Sequence, residues 1–244
     1  MEWKYSKLHP IIKENIIIIN YKDIDKTYQY KIPIKIKDGL INCNLNIKWL
    51  KKNIINNEYS SLSVNYSNNS KSHKYLLKNN NYITIKEYID YLDRNDEEYK
   101  YIFHGIIDNF CNILLKDINL NNYIINSNLS KLCFFYIGNI FTGTHLHKHS
   151  KALNFLIYGK KLWVIIPPTK RNKILIKENN WLYSNMEGNV HDFYEKNINN
   201  ILKNFNNVFI TYQNSGEIIF IPKNYYHLVL NFSENIGFTY SYNT

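Results

Sequence analysis

The period of hydrophobic and polar positions changes along this chain, and the changes predict its elements. Two apolar runs near the start, NIIIINY at 15–21 and YQYKIPIKI at 28–36, read as strands. Pro33 cannot donate a ladder hydrogen bond, so it puts the second run at a sheet edge or a bulge. A short helix is expected around Ile47 to Ile54, and the alternation over Ser60 to Ser67 reads as another strand. Asn68 to Lys71 is rich in turn residues and serves as a loop or a boundary. The clearest helix starts after Thr84, where Thr84-Ile85-Lys86-Glu87 has capping-box spacing and Ile85, Tyr88, Ile89 and Leu92 share one face. Asp93 to Glu98 is its polar exit.

Strand patterns dominate from residue 132 onward. LCFFYIG at 132–138, LNFLIYG at 153–159 and KLWVIIPP at 161–168 are buried-strand candidates, broken near Gly159 and ended by Pro167-Pro168. Thr169 to Asn207 is irregular, with one amphipathic helix carried by Ile198, Ile201, Leu202 and Phe205. Strand signals return at 208–213, 217–221, 225–232 and 236–242. So many short strands predict a mainly β fold with flanking helices, of the barrel or jelly-roll kind.

Length and composition narrow this picture. A chain of 244 residues with 45% hydrophobic positions can bury a large core, and one domain over 1–244 is the simplest division, with 1–130 supporting a core at 131–244. Three widely spaced cysteines, Cys43, Cys111 and Cys133, favour neither a disulfide framework nor a cysteine-based zinc site. They point to a reducing compartment, cytoplasmic or nuclear. The opening MEWKYSKLHP lacks an apolar segment of the signal-peptide type, and no apolar run is long enough to span a bilayer. The net charge of +10 allows an acidic partner such as nucleic acid, but the lysines are scattered and no nucleic-acid motif is present.

Candidate chemistry concentrates in GTHLHKH at 143–149. His145, His147 and His149 stand at every second position, and a regular strand would turn all three to one face. An exposed polar strand would look the same, so distant partners matter. His227, in YYHLVLN after GEIIFIP, is the leading further ligand, placed in the same late β region. Non-haem Fe(II) sites commonly combine two histidines with one carboxylate and leave positions open. Lys161 lies among apolar residues in YGKKLWVII, where burial calls for an anionic partner. Thr144, Asn154, Asn231 and Thr239 add small hydrogen-bonding groups on several candidate strands.

From Phe134 to Tyr242 the chain resembles the JmjC family of Fe(II)- and 2-oxoglutarate-dependent oxygenases, closest to its small hydroxylase-like members. The resemblance rests on FYIGNIFTGTHLHKH, LNFLIYGKKLWVIIPP, SGEIIFIPKNYYHLVLNF and IGFTYSY in that order. It implies a double-stranded β-helix, a jelly roll of the cupin type. It also implies a register: a threonine three residues before the first metal histidine makes His147 that ligand, His149 the occupant of the second position, and His227 the third. Lys161 then matches the lysine that holds the far carboxylate of 2-oxoglutarate. Asn154 and Thr239 match further cosubstrate positions, Asn231 follows the last histidine by four residues, and His145 is a neighbour. The family's second ligand is an aspartate or glutamate, so His149 is a departure that removes one negative charge and a hard oxygen donor. The implied function is an Fe(II)/2-oxoglutarate oxygenase hydroxylating a protein side chain, more readily than a lysine demethylase. The alternative is a JmjC-like pseudoenzyme or interaction module with a degenerate three-histidine metal site. A protein or peptide substrate is the implied partner, and a homodimer is left open.

Overall fold

The computed structural model describes residues 15–20, 30–39, 60–61, 63–68, 81–94, 100–106, 132–182 and 188–242. The helix expected at Ile47 to Ile54 lies outside the described residues. Thirteen strands and three helices are described. In chain order they are β1 (Ile17–Asn20), β2 (Ile34–Lys37), β3 (Ser63–Asn68), β4 (Tyr82–Thr84), α1 (Ile85–Asp93), β5 (Lys100–Ile106), β6 (Leu132–Gly138) and β7 (Gly143–His147). Then come β8 (Lys151–Tyr158), β9 (Lys160–Ile166), α2 (Lys170–Glu178), α3 (Val190–Asn204), β10 (Phe209–Asn214), β11 (Ile218–Ile221), β12 (Tyr226–Asn231) and β13 (Asn235–Tyr242).

The strands form two sheets. The larger has the order β1-β2-β11-β8-β13-β6-β5-β3-β4, and the smaller β10-β9-β12-β7. From β6 to β9 successive strands alternate between the two, and β11 to β13 do so again, so the chain winds back and forth across the space between the sheets. Neither sheet closes on itself. The fold is dominated by strands, as the sequence pattern predicts. Pro33 lies just before β2, and β2 is an interior strand between β1 and β11. The proline therefore starts the strand; it marks neither an edge nor a bulge.

Strand parity sorts the side chains into layers. On β9, Leu162, Val164 and Ile166 point into a core shared with α2 and α3, where Ile176, Val190 and Ile198 cover the small sheet. Trp163 and Ile165 point the other way, between the sheets, where they meet Ile219, Ile221 and Val229. On the large sheet, Phe155, Phe238, Ile137 and Ile102 face outward into a core covered by α1. Each central strand is thus buried on both faces, which is why these segments read as continuous apolar runs.

The helices follow their local chemistry. Thr84 caps α1: its hydroxyl accepts from the Glu87 N–H at 3.1 Å, and the Glu87 carboxylate accepts from the Thr84 N–H at 2.8 Å, the reciprocal box expected from the spacing. Among the described residues between 169 and 207 there are two helices where the periodicity predicts one. The missed one, α2, starts at Thr169, whose hydroxyl accepts from the Asn172 N–H. It turns only Asn172 and Ile176 fully inward, too sparse a stripe to stand out as a period. In α3, Ile198 and Ile201 are buried as expected, but Leu202 is exposed.

Candidate metal centre

β7 is where the site departs from a regular strand. His147 pairs with His227, Thr144 with Val229 and Gly143 with Leu230, so three steps along β7 answer two along β12. The extra residue is a β-bulge, which re-aims side chains on the bulged strand. As a result Thr144 and His147, three apart, both line the space between the sheets. Leu146 joins the core beneath the helices. His145 turns away from the other histidines: its Nε2 lies 3.0 Å from the Gly188 carbonyl and its ring meets Phe193 edge-on. Burial pushes the His145 ring toward its neutral form, opposed by the Gly188 contact. β7 ends at His147, so the three-on-one-face arrangement expected from alternation alone does not form, in the turn of His145 or in the place of His149. His149 lies in the segment after the strand, where its carbonyl accepts from the Asn224 N–H at 2.9 Å.

His147, His149 and His227 converge: each offers one ring nitrogen, and the three lie within 4.8 Å of one another in an arrangement that could hold a metal ion. Their ring centroids are 4.1 Å apart for His147 and His227, 4.6 Å for His149 and His227, and 5.5 Å for His147 and His149. A single feature recurs at all three. The Nδ1 of His147 lies 2.7 Å from the His145 carbonyl, that of His149 2.6 Å from the Ser150 carbonyl, and that of His227 3.1 Å from the Tyr225 carbonyl. A carbonyl oxygen only accepts, so each Nδ1 carries the proton and each lone pair sits on Nε2. Orienting a ligating imidazole through its other nitrogen is the usual way proteins fix a metal ligand. Burial, reinforced by the neighbouring His147 and His149, holds His227 well below the ordinary histidine range, so it is neutral at pH 7 and ready to ligate.

The three rings stand at one side of a cavity of about 280 Å³ between the sheets. Its walls come from inward positions of both sheets: Tyr101 and Phe103 of β5, Phe134 and Tyr136 of β6, Asn154 of β8, Lys161 and Trp163 of β9, Thr239 of β13. None of its described lining residues is an aspartate or glutamate. Glu217 does not rescue the missing carboxylate, because it accepts from the Asn214 N–H at 2.7 Å and lies 3.9 Å from Lys35.

Lys161 is the unusual group. It is 1% exposed, and among the described residues it has no ion pair; its Nζ sits 3.2 Å from the centroid of the Tyr136 ring. Burial alone pushes its ammonium well below the ordinary lysine range. Next to it, the Asn154 amide donates to the Thr239 hydroxyl at 2.7 Å, and the Tyr136 hydroxyl lies 2.8 Å from both Asn154 Oδ1 and the Phe155 carbonyl. Trp163 donates from Nε1 to Gln213 at 2.8 Å, while its ring stacks on His227 at 5.8 Å. Tyr101 shares a side-chain hydrogen bond with Thr144, and burial pushes its phenol far up.

The structure therefore gathers His147, His149, His227, Thr144, Asn154, Lys161 and Thr239 around one cavity. Asn231 is not among the residues that line it. Its amide donates to the Thr142 hydroxyl at 2.7 Å, and its backbone N–H bonds the Thr142 carbonyl, which ties the start of β7 to the end of β12. The aromatic wall was not singled out from sequence. Its signal was present as aromatics at every second position, Tyr101 and Phe103 in KYIFHGI and Phe134 and Tyr136 in LCFFYIG.

Residues 134–242 match a family model described as JmjC domain, hydroxylase. The match contains the three clustered histidines. No curated protein matches the chain.

Proposed function

We propose that residues 134–242 act as a JmjC-like binding domain, in which His147, His149 and His227 hold a divalent metal and Lys161 holds an anionic ligand beside it, with hydroxylase turnover weak or lost. The observation that carries this reading is His149. It completes a three-nitrogen set where an oxygenase of this family has a carboxylate, and among the described residues the cavity lining has no aspartate or glutamate to replace it. The donor set fits a divalent metal, since the three imidazoles are fixed with Nε2 as acceptor. It does not fit the two-histidine, one-carboxylate arrangement of Fe(II) oxygenases. On this reading the domain recognises a small dianion or a protein partner.

A second reading, a working Fe(II)/2-oxoglutarate oxygenase that hydroxylates a protein side chain, is favoured by one observation. The pocket beside the histidines keeps a buried lysine with no ion pair among the described residues and an ordered Asn154–Thr239 pair. In that reading iron and 2-oxoglutarate supply the oxidising power. Lys161 binds the far carboxylate by a charge-assisted contact, Thr144 and Asn154 orient the cosubstrate, and the aromatic walls exclude water.

The same reading extends to the fold and its setting. The alternation between two sheets over β6 to β9 and again over β10 to β13 supports a double-stranded β-helix of the cupin type, with the first 130 residues as its support. No helix among the described residues is long and apolar enough to cross a membrane. A cytoplasmic or nuclear setting, a peptide or protein partner and a homodimer remain part of the proposal.

Anaerobic loading of the protein with Fe(II) or Zn(II), followed by 2-oxoglutarate titration and a succinate assay, tests it. Metal-dependent binding of 2-oxoglutarate without succinate supports the binding domain, and succinate appearing only in His149→Asp strengthens it. Steady succinate from the unmodified protein favours the second reading instead. If 2-oxoglutarate binds equally with and without metal, the proposed site is wrong.

A further inference from the structure

The missing carboxylate has a consequence for which metal the site selects. Three neutral imidazoles leave a bound divalent ion with its full charge of +2, where one carboxylate would reduce the sum to +1. They also replace a hard oxygen donor by nitrogen, which favours the borderline-soft ions over Fe(II) and Mn(II). Three protein ligands and an open fourth position are the usual composition of a catalytic zinc site. Nitrogens bound to Zn(II) at about 2.0–2.1 Å in tetrahedral geometry stand roughly 3.3 Å from one another. The three nitrogens here already lie within 4.8 Å, so small side-chain shifts complete the set.

Resting on the metal-binding reading given above, we infer that the resident ion is Zn(II), held by the Nε2 atoms of His147, His149 and His227 in a four-coordinate centre. The ion is redox-inert, and its open position faces the cavity. The inference accounts for two features together. The three Nδ1–H groups are each anchored on a backbone carbonyl, which leaves three like donors on one side of the ion. Among the described residues the cavity lining supplies Lys161 and Lys148 but no carboxylate, so an anion entering the open position meets positive charge from the ion and from Lys161 at once. Such a centre works as an anion receptor or a Lewis acid, with no use for oxygen.

The test uses the full chain, stripped with chelator and reloaded anaerobically with Co(II), Zn(II) or Fe(II). The Co(II) form is expected to show the intense visible absorption of a four-coordinate ion, and one equivalent of Zn(II) is expected to bleach it. Most nitrogen and oxygen sites prefer Zn(II) to Fe(II), so the ratio of affinities alone does not decide the matter. Its change in His149→Asp does: the ratio is expected to fall by about tenfold or more, a decade being about 1.4 kcal/mol of differential binding. The Co(II) band of that variant is expected to weaken toward the six-coordinate form. A weak six-coordinate Co(II) spectrum in the unmodified protein, or a ratio unchanged in His149→Asp, overturns the zinc assignment while leaving metal binding intact. Failure of a folded chain, verified by circular dichroism, to bind any of the three ions removes the metal centre itself. The Co(II) spectrum of the unmodified protein decides the assignment even if His149→Asp does not fold.

Discussion

Replacing Lys161 by methionine should make the ligand-free protein more stable and the site useless. Lys161 is 1% exposed and has no ion pair among the described residues, so its ammonium is offset only by the Tyr136 ring at 3.2 Å. A desolvated cation–π contact contributes about 2 kcal/mol, less than the several kcal/mol that burying a charge costs after relaxation. Methionine fills nearly the same volume without that cost, so a gain of about 1–3 kcal/mol is expected, in the range measured when buried charges become well-packed apolar groups. For a chain of this size that corresponds to a rise in Tm of about 2–12 °C, read by thermal unfolding with circular dichroism. The folded-state pKa of Lys161 lies below its unfolded value, so between the two the unfolded chain binds the extra proton. Stability of the unmodified protein therefore rises with pH until the unfolded lysine titrates near about 10.4, and the advantage of Lys161→Met shrinks over the same window. With metal present, a dicarboxylate should raise the Tm of the unmodified protein, by about 2.7 kcal/mol in stability at a hundred times its Kd, and leave Lys161→Met unchanged. A variant that melts lower than the parent at pH 7, or that still binds the dicarboxylate, would refute the account of Lys161 as an uncompensated charge kept for an anion.

His227→Ala should abolish metal binding, and the loss is measurable as the disappearance of metal-induced change in tryptophan emission, because Trp163 stacks on this ring. His145→Phe should leave metal affinity within about twofold, since its ring packs beside Phe193 away from the cluster; a loss of tenfold or more would place it in the site. Gly143→Ala should cost about 3 kcal/mol or more by denaturant titration, because a Cβ there collides with the Val229 carbonyl where β7 pairs with β12. Binding of Zn(II) should weaken as pH falls and protons compete for the imidazoles, with His227 protonated only well below the ordinary histidine range, and isothermal titration at several pH values measures it.

The sequence alone determined the strand-rich half of the molecule and most of the positions that meet in the cavity. It could do so because β8, β9, β12 and β13 are short continuous apolar runs, bounded by Gly159, Pro167-Pro168 and Gly216, and because the motifs that resemble the JmjC family single out Asn154, Lys161, His227 and Thr239, which line one cavity. The Thr84 capping box was legible for the same reason: the hydrogen bonds lie within four residues. What lay beyond reach depends on other segments. Whether Asn231 enters the cavity or ties β12 to Thr142 is settled by a partner 89 positions away. The short helix α2 buries too few residues for its period to show. In GTHLHKH, local alternation would have kept three histidines on one face, and only the resemblance to a known family set His145 apart as a neighbour, without a physical cause for it. Only pairing with β12 placed the extra residue in β7, turned His145 toward Gly188 and Phe193, and brought His147 and His149 onto His227. A bulge exists only relative to the strand that opposes it, so that decision belongs to the tertiary structure.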